Sequence, residues 1–487
     1  MITHRRSTPP AYTQGRVKRV VIIGGGITGL SAAWTLQKQA AQEGIALRYT
    51  LLESSDRWGG KVQTEQIDSD GDQPFVLEAG PDAFLTRKPW AYTLAQELGL
   101  TDRVQSVNRE NNRTFVLHRG RPVPLPEGLQ LLVPTKIRPF LRSPLFSLWG
   151  KIRALFDLII TKRSESGDET LADFVRRRLG TEILDKVAKP LLGGVYNGDA
   201  EQQSIQATFP QFPALEQQTG SLIRGMWATQ GSSKPSSVPA FISFQTGTHE
   251  LIDKIVSRLS GERLLNAPVH RIEATEYGRY RVVANELLYE ADAVILATPA
   301  FVTANLLREL APESAARVGS IPYAGIGSAY FAFPRAAVPH PLNGFGLVVP
   351  ASEQRPIDGI TWTSSKWDHR APIDTVLLRV FFGGPRTKQT LTLDDDALLR
   401  VLRAELESLF GITQSPLLTR IYRWHEGYPQ YTVGHLERLA LAEAALPDGV
   451  FLAGSAYRGV GVPDCVRQGQ EAAQKALDVV QSIVDRV

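Results

Sequence analysis

From Val17 the chain reads VKRVVIIGGGITGLSAAWTLQKQAA: a β-branched run, three glycines, then apolar residues at helical spacing. That order predicts a strand, a tight turn and a helix. The next apolar run, Ala46 to Leu52, ends in Glu53 and predicts the second strand of a βαβ unit. Val269 to Glu273 (VHRIE) and residues 291 to 300 (ADAVILATPA) read as two further strands, the second closing in a Thr-Pro turn. Runs such as IGSAYFAF and TVLLRVFFGG predict a separate sheet. Near the end, VFLAGSAYRGVGVPDCVRQGQEAAQKAL gives a strand, a glycine-rich crossing and an amphipathic helix. No stretch reaches the roughly 18 to 20 uninterrupted apolar residues of a membrane-spanning helix.

The chemistry lies in the breaks between these runs. Gly24, Gly26 and Gly29 form GxGxxG: the first permits the turn, the second lets backbone approach a pyrophosphate, and the third lets helix pack on strand. Gly25, Ile27 and Thr28 complete that loop, and the N–H groups of the helix start face the phosphates. Alone the motif also fits a structural glycine turn. Glu53 stands where an acid meets the adenosine ribose, which disfavours a 2′-phosphate and hence NADP. A second loop follows at once, SSDRWGGKVQT, with Arg57, Gly60 and Lys61 positioned to approach the same phosphates. A nicotinamide site has no evident use for that loop, so the pattern favours a flavin. Gly80, Pro81, Asp82 and Ala83 add a rigid turn able to pass along an isoalloxazine ring.

Composition narrows the class. At 487 residues the chain predicts more than one substructure. A net charge of +4 arises from local basic clusters and gives little support to nucleic-acid binding. The single cysteine, Cys465, allows no intrachain disulfide and no cysteine metal cluster, in keeping with a reducing cytoplasm. Eight scattered histidines offer no metal-ligand spacing, so no metal is expected. Residues 1–16 carry Arg5, Arg6 and Arg16 without a following apolar region and read as a flexible leader.

The four cofactor segments, in this order, resemble the FAD-binding scaffold of flavin amine oxidases, phytoene desaturases and porphyrinogen oxidases. Residues 189 to 223, KPLLGGVYNGDAEQQSIQATFPQFPALEQQTGSLI, resemble the porphyrinogen oxidases more closely, and the Phe-Pro-Gln-Phe-Pro portion leans toward the bacterial type acting on coproporphyrinogen III. WHEGYPQYTVGH, residues 424 to 435, is similar to the family's aromatic segment near the flavin. Asn197 and Gln203 depart from the family pattern, where alanine and leucine are common.

The resemblance implies an α/β chain with a Rossmann-like FAD-binding domain of the GR2-type flavin amine-oxidase fold, a mixed-sheet substrate domain and a helical insertion. Segments 17–95, 247–310 and 445–487 are assigned to the first, 96–124, 226–246 and 311–444 to the second, and 125–225 to the insertion. It adds Ser54, Val269 through its backbone, Trp424, Val460, Gly461 and Val462 to the FAD contacts. It places Arg113, with Arg87 and Lys88, on substrate propionates and Gly194 against the macrocycle. A surface role for Arg113 and a helix-capping role for Gly194 stand as the competing readings.

The implied reaction is stepwise two-electron oxidation of a porphyrinogen, with molecular oxygen reoxidising the flavin. Orientation dominates such chemistry, and no residue is assigned as catalytic. Protoporphyrinogen IX, an amine or carotenoid substrate, and a non-catalytic FAD module remain alternatives. The insertion's LLVPTKIRPFLRSPLFSLWGKIRALFDLIITKR interleaves apolar groups with Lys136, Arg138, Arg142, Lys151 and Arg153. Such a face can lie on the inner surface of an anionic membrane, dock a downstream haem-pathway enzyme, or fold as an internal hairpin over the substrate slot.

Overall fold

The computed structural model describes residues 17–482, apart from 72, 109, 111, 131, 165–166, 194–195, 231–238 and 276–278. Its first sheet is wholly parallel and ordered Glu262–Leu264, Leu47–Leu52, Lys18–Ile23, Ala293–Leu296, Val450–Leu452. Ala293–Leu296 is wholly apolar and buried and Lys18–Ile23 is buried except at Arg19, as strands covered on both faces must be, while Leu47–Leu52 buries Tyr49, Leu51 and Leu52. On one face pack the helices Ile27–Glu43 and Val462–Ser482, whose Leu30, Ala33, Leu36, Ala473 and Leu477 share a core with Ile22 and Leu51. On the other lies an antiparallel meander, Val269–Ala274, Tyr280–Ala284 and Leu287–Ala291, whose Ile272 and Val282 pack on Val21 and Ile23. The first two predicted strands and the Thr-Pro turn thus fall where the apolar pattern put them, the turn leading into the helix Ala300–Leu307.

The second sheet has seven strands in the order Leu418–Pro429, Tyr323–Pro334, Thr375–Phe382, Gly359–Trp362, Gly346–Val348, Thr114–His118, Arg121–Pro124. One neighbouring pair, Gly346–Val348 with Thr114–His118, is parallel and the rest antiparallel, so the sheet is mixed. Its outer face is closed by the helix Asp395–Phe410 through Leu398, Leu402 and Leu406. Its inner face meets the strand Phe75–Glu78, where Phe75 and Leu77 pack against Tyr330 and Leu377.

Residues 137–230 form a helical unit with its own core, including Phe140, Phe174, Ile183, Phe212 and Ile223. A fully buried ion pair fixes it: Arg178 Nε donates to Asp157 at 2.7 Å, and the other Asp157 oxygen accepts from Ser221 Oγ at 2.6 Å and Ile223 N at 2.9 Å. The wider helix Leu184–Gly193, with Pro190 inside it, leads toward Tyr196. No helix among the described residues is long and apolar enough to cross a membrane.

Removing one partner of the Arg178–Asp157 pair leaves an uncompensated buried charge. Arg178→Met is therefore expected to destabilise the protein by about 3–5 kcal/mol. A denaturation midpoint unchanged from wild type would refute this.

Candidate functional site

At the first glycine loop the backbone approaches itself closely. Gly24 has φ +109°, and a Cβ there would lie 2.7 Å from Ala297 O. A Cβ on Gly29 would meet Gly24 O at 1.9 Å, so the helix is clamped on its strand. Gly26 faces open space, with no atom within 4 Å of an added Cβ. It begins a helix with no side-chain cap and no acidic residue in its first turn. An uncapped helix start beside open space suits an anion such as a diphosphate.

The second loop is hydrogen-bonded to the first: Gly59 N donates to Gly25 O at 2.9 Å, and Gly60 abuts the Gly26 Cα. Arg57, half-buried on this loop, has a buried Nη1 without a partner. Glu53 closes the strand Leu47–Leu52, with Oε2 accepting from Gly25 N at 2.6 Å and Oε1 from Ser55 N at 2.9 Å. Ser54 is exposed beside it, 3.3 Å from the same carboxylate. Glu53 backbone pairs with Leu264 O and Ala267 N, which brings the start of the Val269 strand alongside. Open space, an orphaned guanidinium nitrogen and an uncapped helix together fit the dinucleotide part of FAD.

Residues 78–82 join this cradle to the second sheet. Glu78 is buried and accepts from Thr64 Oγ1 at 2.7 Å and from Thr248 N at 2.8 Å, with Arg370 Nη1 at 3.4 Å. Burial raises the Glu78 carboxyl above its ordinary range, opposed by the Arg370 charge and these hydrogen bonds. Tyr330 OH donates to Glu78 O at 3.1 Å, Trp424 Nε1 to Ala79 O at 2.8 Å, and Arg379 Nη2 to Gly80 O at 3.0 Å. Gly80 crosses the second loop so closely that a Cβ would lie 1.8 Å from Lys61 O. Pro81 O accepts from Thr248 Oγ1, and Ala83 is half-buried at the end of the turn.

Two residues assigned to the cofactor from sequence make their closest described contacts with the second sheet. Lys61 Nζ donates to Gly427 O at 2.5 Å and lies over the Tyr323 ring, and burial pulls its ammonium below the usual lysine range. Asp82 accepts from Lys366 Nζ at 2.7 Å and Trp367 Nε1 at 3.2 Å. Burial would raise its carboxyl, but Lys366 and Arg379 outweigh that and hold it well below the usual range.

The glycine-rich crossing before Val462–Ser482 completes the site. Gly454 has φ +136° and leaves open space toward Thr28 Oγ1. Tyr431 OH accepts from Gly459 N at 2.8 Å and donates to Ser455 O at 2.7 Å, clasping the crossing. His435 stacks on Tyr431 at 4.0 Å and 13°, and its Nε2 donates to Tyr457 O at 2.8 Å. Val460, Gly461 and Val462 follow at the start of the last helix.

The proposed substrate cations are placed less uniformly. Lys88 pairs with Asp464 at 2.6 Å, at the start of that helix, while Arg87 is exposed nearby in sequence. Arg113 is exposed ahead of the strand Thr114–His118, several strands away from Arg379, and its carbonyl accepts from Phe345 N. Gly194 lies outside the described residues. Tyr431 and His435 lie within the segment 424–435 that resembles the family's aromatic stretch near the flavin, whereas Arg379 was not singled out from the sequence. A lone charge inside the apolar run TVLLRVFF was the available signal for Arg379.

A family model described as flavin containing amine oxidoreductase matches residues 27–477. The coproporphyrinogen III oxidase of Bacillus subtilis is 36% identical over 469 residues, covering 94% of this chain and 98% of that protein. The chloroplastic protoporphyrinogen oxidase of Nicotiana tabacum is 29% identical, covering 93% and 84%. A crystal structure from Exiguobacterium sp. 255-15, provisionally named a protoporphyrinogen oxidase, superposes with a TM-score of 0.82 at 32% identity, covering 95% of this chain and 99% of that one.

Burial of His435 next to Arg438 and Arg458 lowers its pKa to about 4, below the ordinary 6.5. The folded state then binds fewer protons than the unfolded one between these values, so stability is present above about pH 6.5 and lost as pH falls toward 4. The loss should reach about 3 kcal/mol. His435→Gln should flatten that slope, as read from thermal midpoints across pH 4 to 7; an unaltered slope would exclude His435 as its source.

Proposed function

The chain belongs to the flavin-containing amine oxidoreductases, and from that premise we propose that it is an FAD-dependent oxidase converting coproporphyrinogen III to coproporphyrin III in haem biosynthesis. The observation that carries this reading is an intact dinucleotide cradle in a chain that aligns end to end with coproporphyrinogen III oxidases. Protoporphyrinogen IX is the second substrate to consider, because the tobacco relative is named for it.

Bound FAD supplies the two-electron acceptor that the side chains of this protein lack. The start of the helix Ile27–Glu43 and Arg57 receive its diphosphate, with Glu53 on the adenosine side. The turn Gly80–Ala83, the crossing Val460–Val462 and the Trp424 strand border its ring. Val269 lends backbone beside Glu53. The second sheet then roofs the cleft, and its fixed hydrogen bonds to residues 78–80 hold the two walls at one spacing. That spacing orients a flat macrocycle, which is the protein's main contribution to such a reaction. Arg113, Arg87 and Lys88 serve the propionates; at Lys88 a propionate exchanges with the Asp464 carboxylate. Molecular oxygen is the proposed final acceptor.

The insertion supports a peripheral contact with the inner face of a membrane. Leu148, Ile152, Phe156 and Ile159 recur at helical spacing and stay exposed, and Trp149 is 78% exposed beside them. Exposed Arg138, Arg142 and Lys162 flank them. An apolar face ringed by cations suits an anionic bilayer, and its exposure leaves these residues off the substrate slot.

Purified protein should yield porphyrin fluorescence and peroxide fastest with coproporphyrinogen III, more slowly with protoporphyrinogen IX, and no peroxide with a benzylic amine. Flavin-loaded protein that forms no porphyrin would remove the reading. Trp149→Glu with Ile159→Glu should lower co-sedimentation with anionic vesicles severalfold; equal sedimentation of variant and wild type would remove the membrane contact.

A further inference from the structure

Alternate residues of the strand Thr375–Phe382 step along one face from the packed interior toward the cleft. Leu377 packs with Phe75 and Leu77, Arg379 reaches Gly80, and half-buried Phe381 lies beyond. Arg379 is only 5% exposed, in the middle of an apolar strand. Burying a guanidinium is costly unless something specific compensates it.

The compensation is unusual in kind. Around the turn at residues 78–82, Glu78 is matched by Arg370 and Asp82 by Lys366. Arg379 has no carboxylate within 4 Å among the described residues. It donates instead to the Gly80 carbonyl, and its plane lies 5.3 Å from the Tyr330 ring and 4.7 Å from the Phe381 ring. Its Nε has no partner. Carbonyl dipoles and ring faces hold a cation without cancelling it, whereas a paired carboxylate would. A guanidinium also keeps its charge on burial better than an ammonium does. Asp82, already paired with Lys366, also feels the Arg379 charge, but around this turn the three cations Arg370, Lys366 and Arg379 outnumber the two carboxylates Glu78 and Asp82, which leaves one surplus positive charge directly behind it.

We propose that Arg379 supplies the surplus positive charge of this cluster beside the flavin ring and stabilises the negative charge that the ring carries when reduced. This rests on the cofactor reading above. Accepting a hydride brings two electrons and one proton, so the ring system gains one unit of negative charge. In a water-poor cleft a fixed cation acts on that charge strongly, and the hydrogen bond to Gly80 O fixes its position before reduction. Arg379 is thus a positioning residue for the turn and an electrostatic one for the cofactor.

The test is the two-electron reduction potential of the holoenzyme, measured by equilibration with a reference dye. Wild type should lie above free FAD in the same buffer. Arg379→Gln keeps a donor for the Gly80 carbonyl but removes the charge. It should shift the equilibrium about tenfold toward oxidised flavin, about 30 mV for a two-electron couple. Arg379→Lys should stay near wild type. A glutamine variant with the wild-type potential, or a wild-type potential no higher than that of free FAD, overturns the proposal, and the second comparison decides even if the variant does not retain cofactor. Failure of wild-type protein to bind FAD would instead sink the cofactor reading, and is distinguishable by the absence of flavin absorbance.

Discussion

The spacing between the two sheets depends on a carboxylate buried at the end of one short strand. Glu78 receives hydrogen bonds from Thr64 and Thr248 on the cofactor side, while Arg370 approaches it from the segment ahead of the strand Thr375–Phe382 and Tyr330 grips its backbone. Ionised or neutral, it is costly to bury without those partners, so each is held in place by the need to satisfy it. The next two carbonyls, Ala79 and Gly80, are then taken by Trp424 and Arg379. What looks in sequence like a turn is in three dimensions a seam joining two layers.

The parts of the fold that periodicity governs were legible. The strand–glycine–helix unit at Lys18–Glu43, the strand Leu47–Leu52 and the long last helix follow from spacing of apolar residues, because each buries a continuous face. Three glycines of the first loop have distinct steric environments that GxGxxG anticipates. Pairings across long sequence separations were not legible. Lys88 meets Asp464 across 376 positions, and Tyr431 clasps Gly459 through a contact that no local pattern encodes. The insertion shows the same limit: alternating apolar and basic groups fit a buried hairpin or a surface face equally, and tertiary packing alone turns Trp149 outward and Phe140 inward.

The site divides its work between rigid and charged parts. Close backbone contacts at Gly29 and Gly80 remove freedom from the cradle, and the Tyr431–His435 stack does the same for the crossing that precedes the last helix. Charge is managed more selectively. Glu78 and Asp82 are answered by Arg370 and Lys366, whereas Arg379 and Lys61 are answered by carbonyls and aromatic faces. A chemistry governed by orientation and by electron flow needs both a stiff frame and a biased field, and the two are built from different residues.

The order of strands in the parallel sheet has a consequence for biogenesis. Its central strand, Lys18–Ile23, is flanked on one side by Ala293–Leu296, and that strand in turn waits for Val450–Leu452. The helix Val462–Ser482 then seats Gly469 against Thr28, in the glycine loop that follows the first strand. The nucleotide pocket is therefore completed only by a helix more than four hundred residues beyond the glycine loop. Cofactor capture that needs the finished pocket is thereby tied to the docking of the last helix.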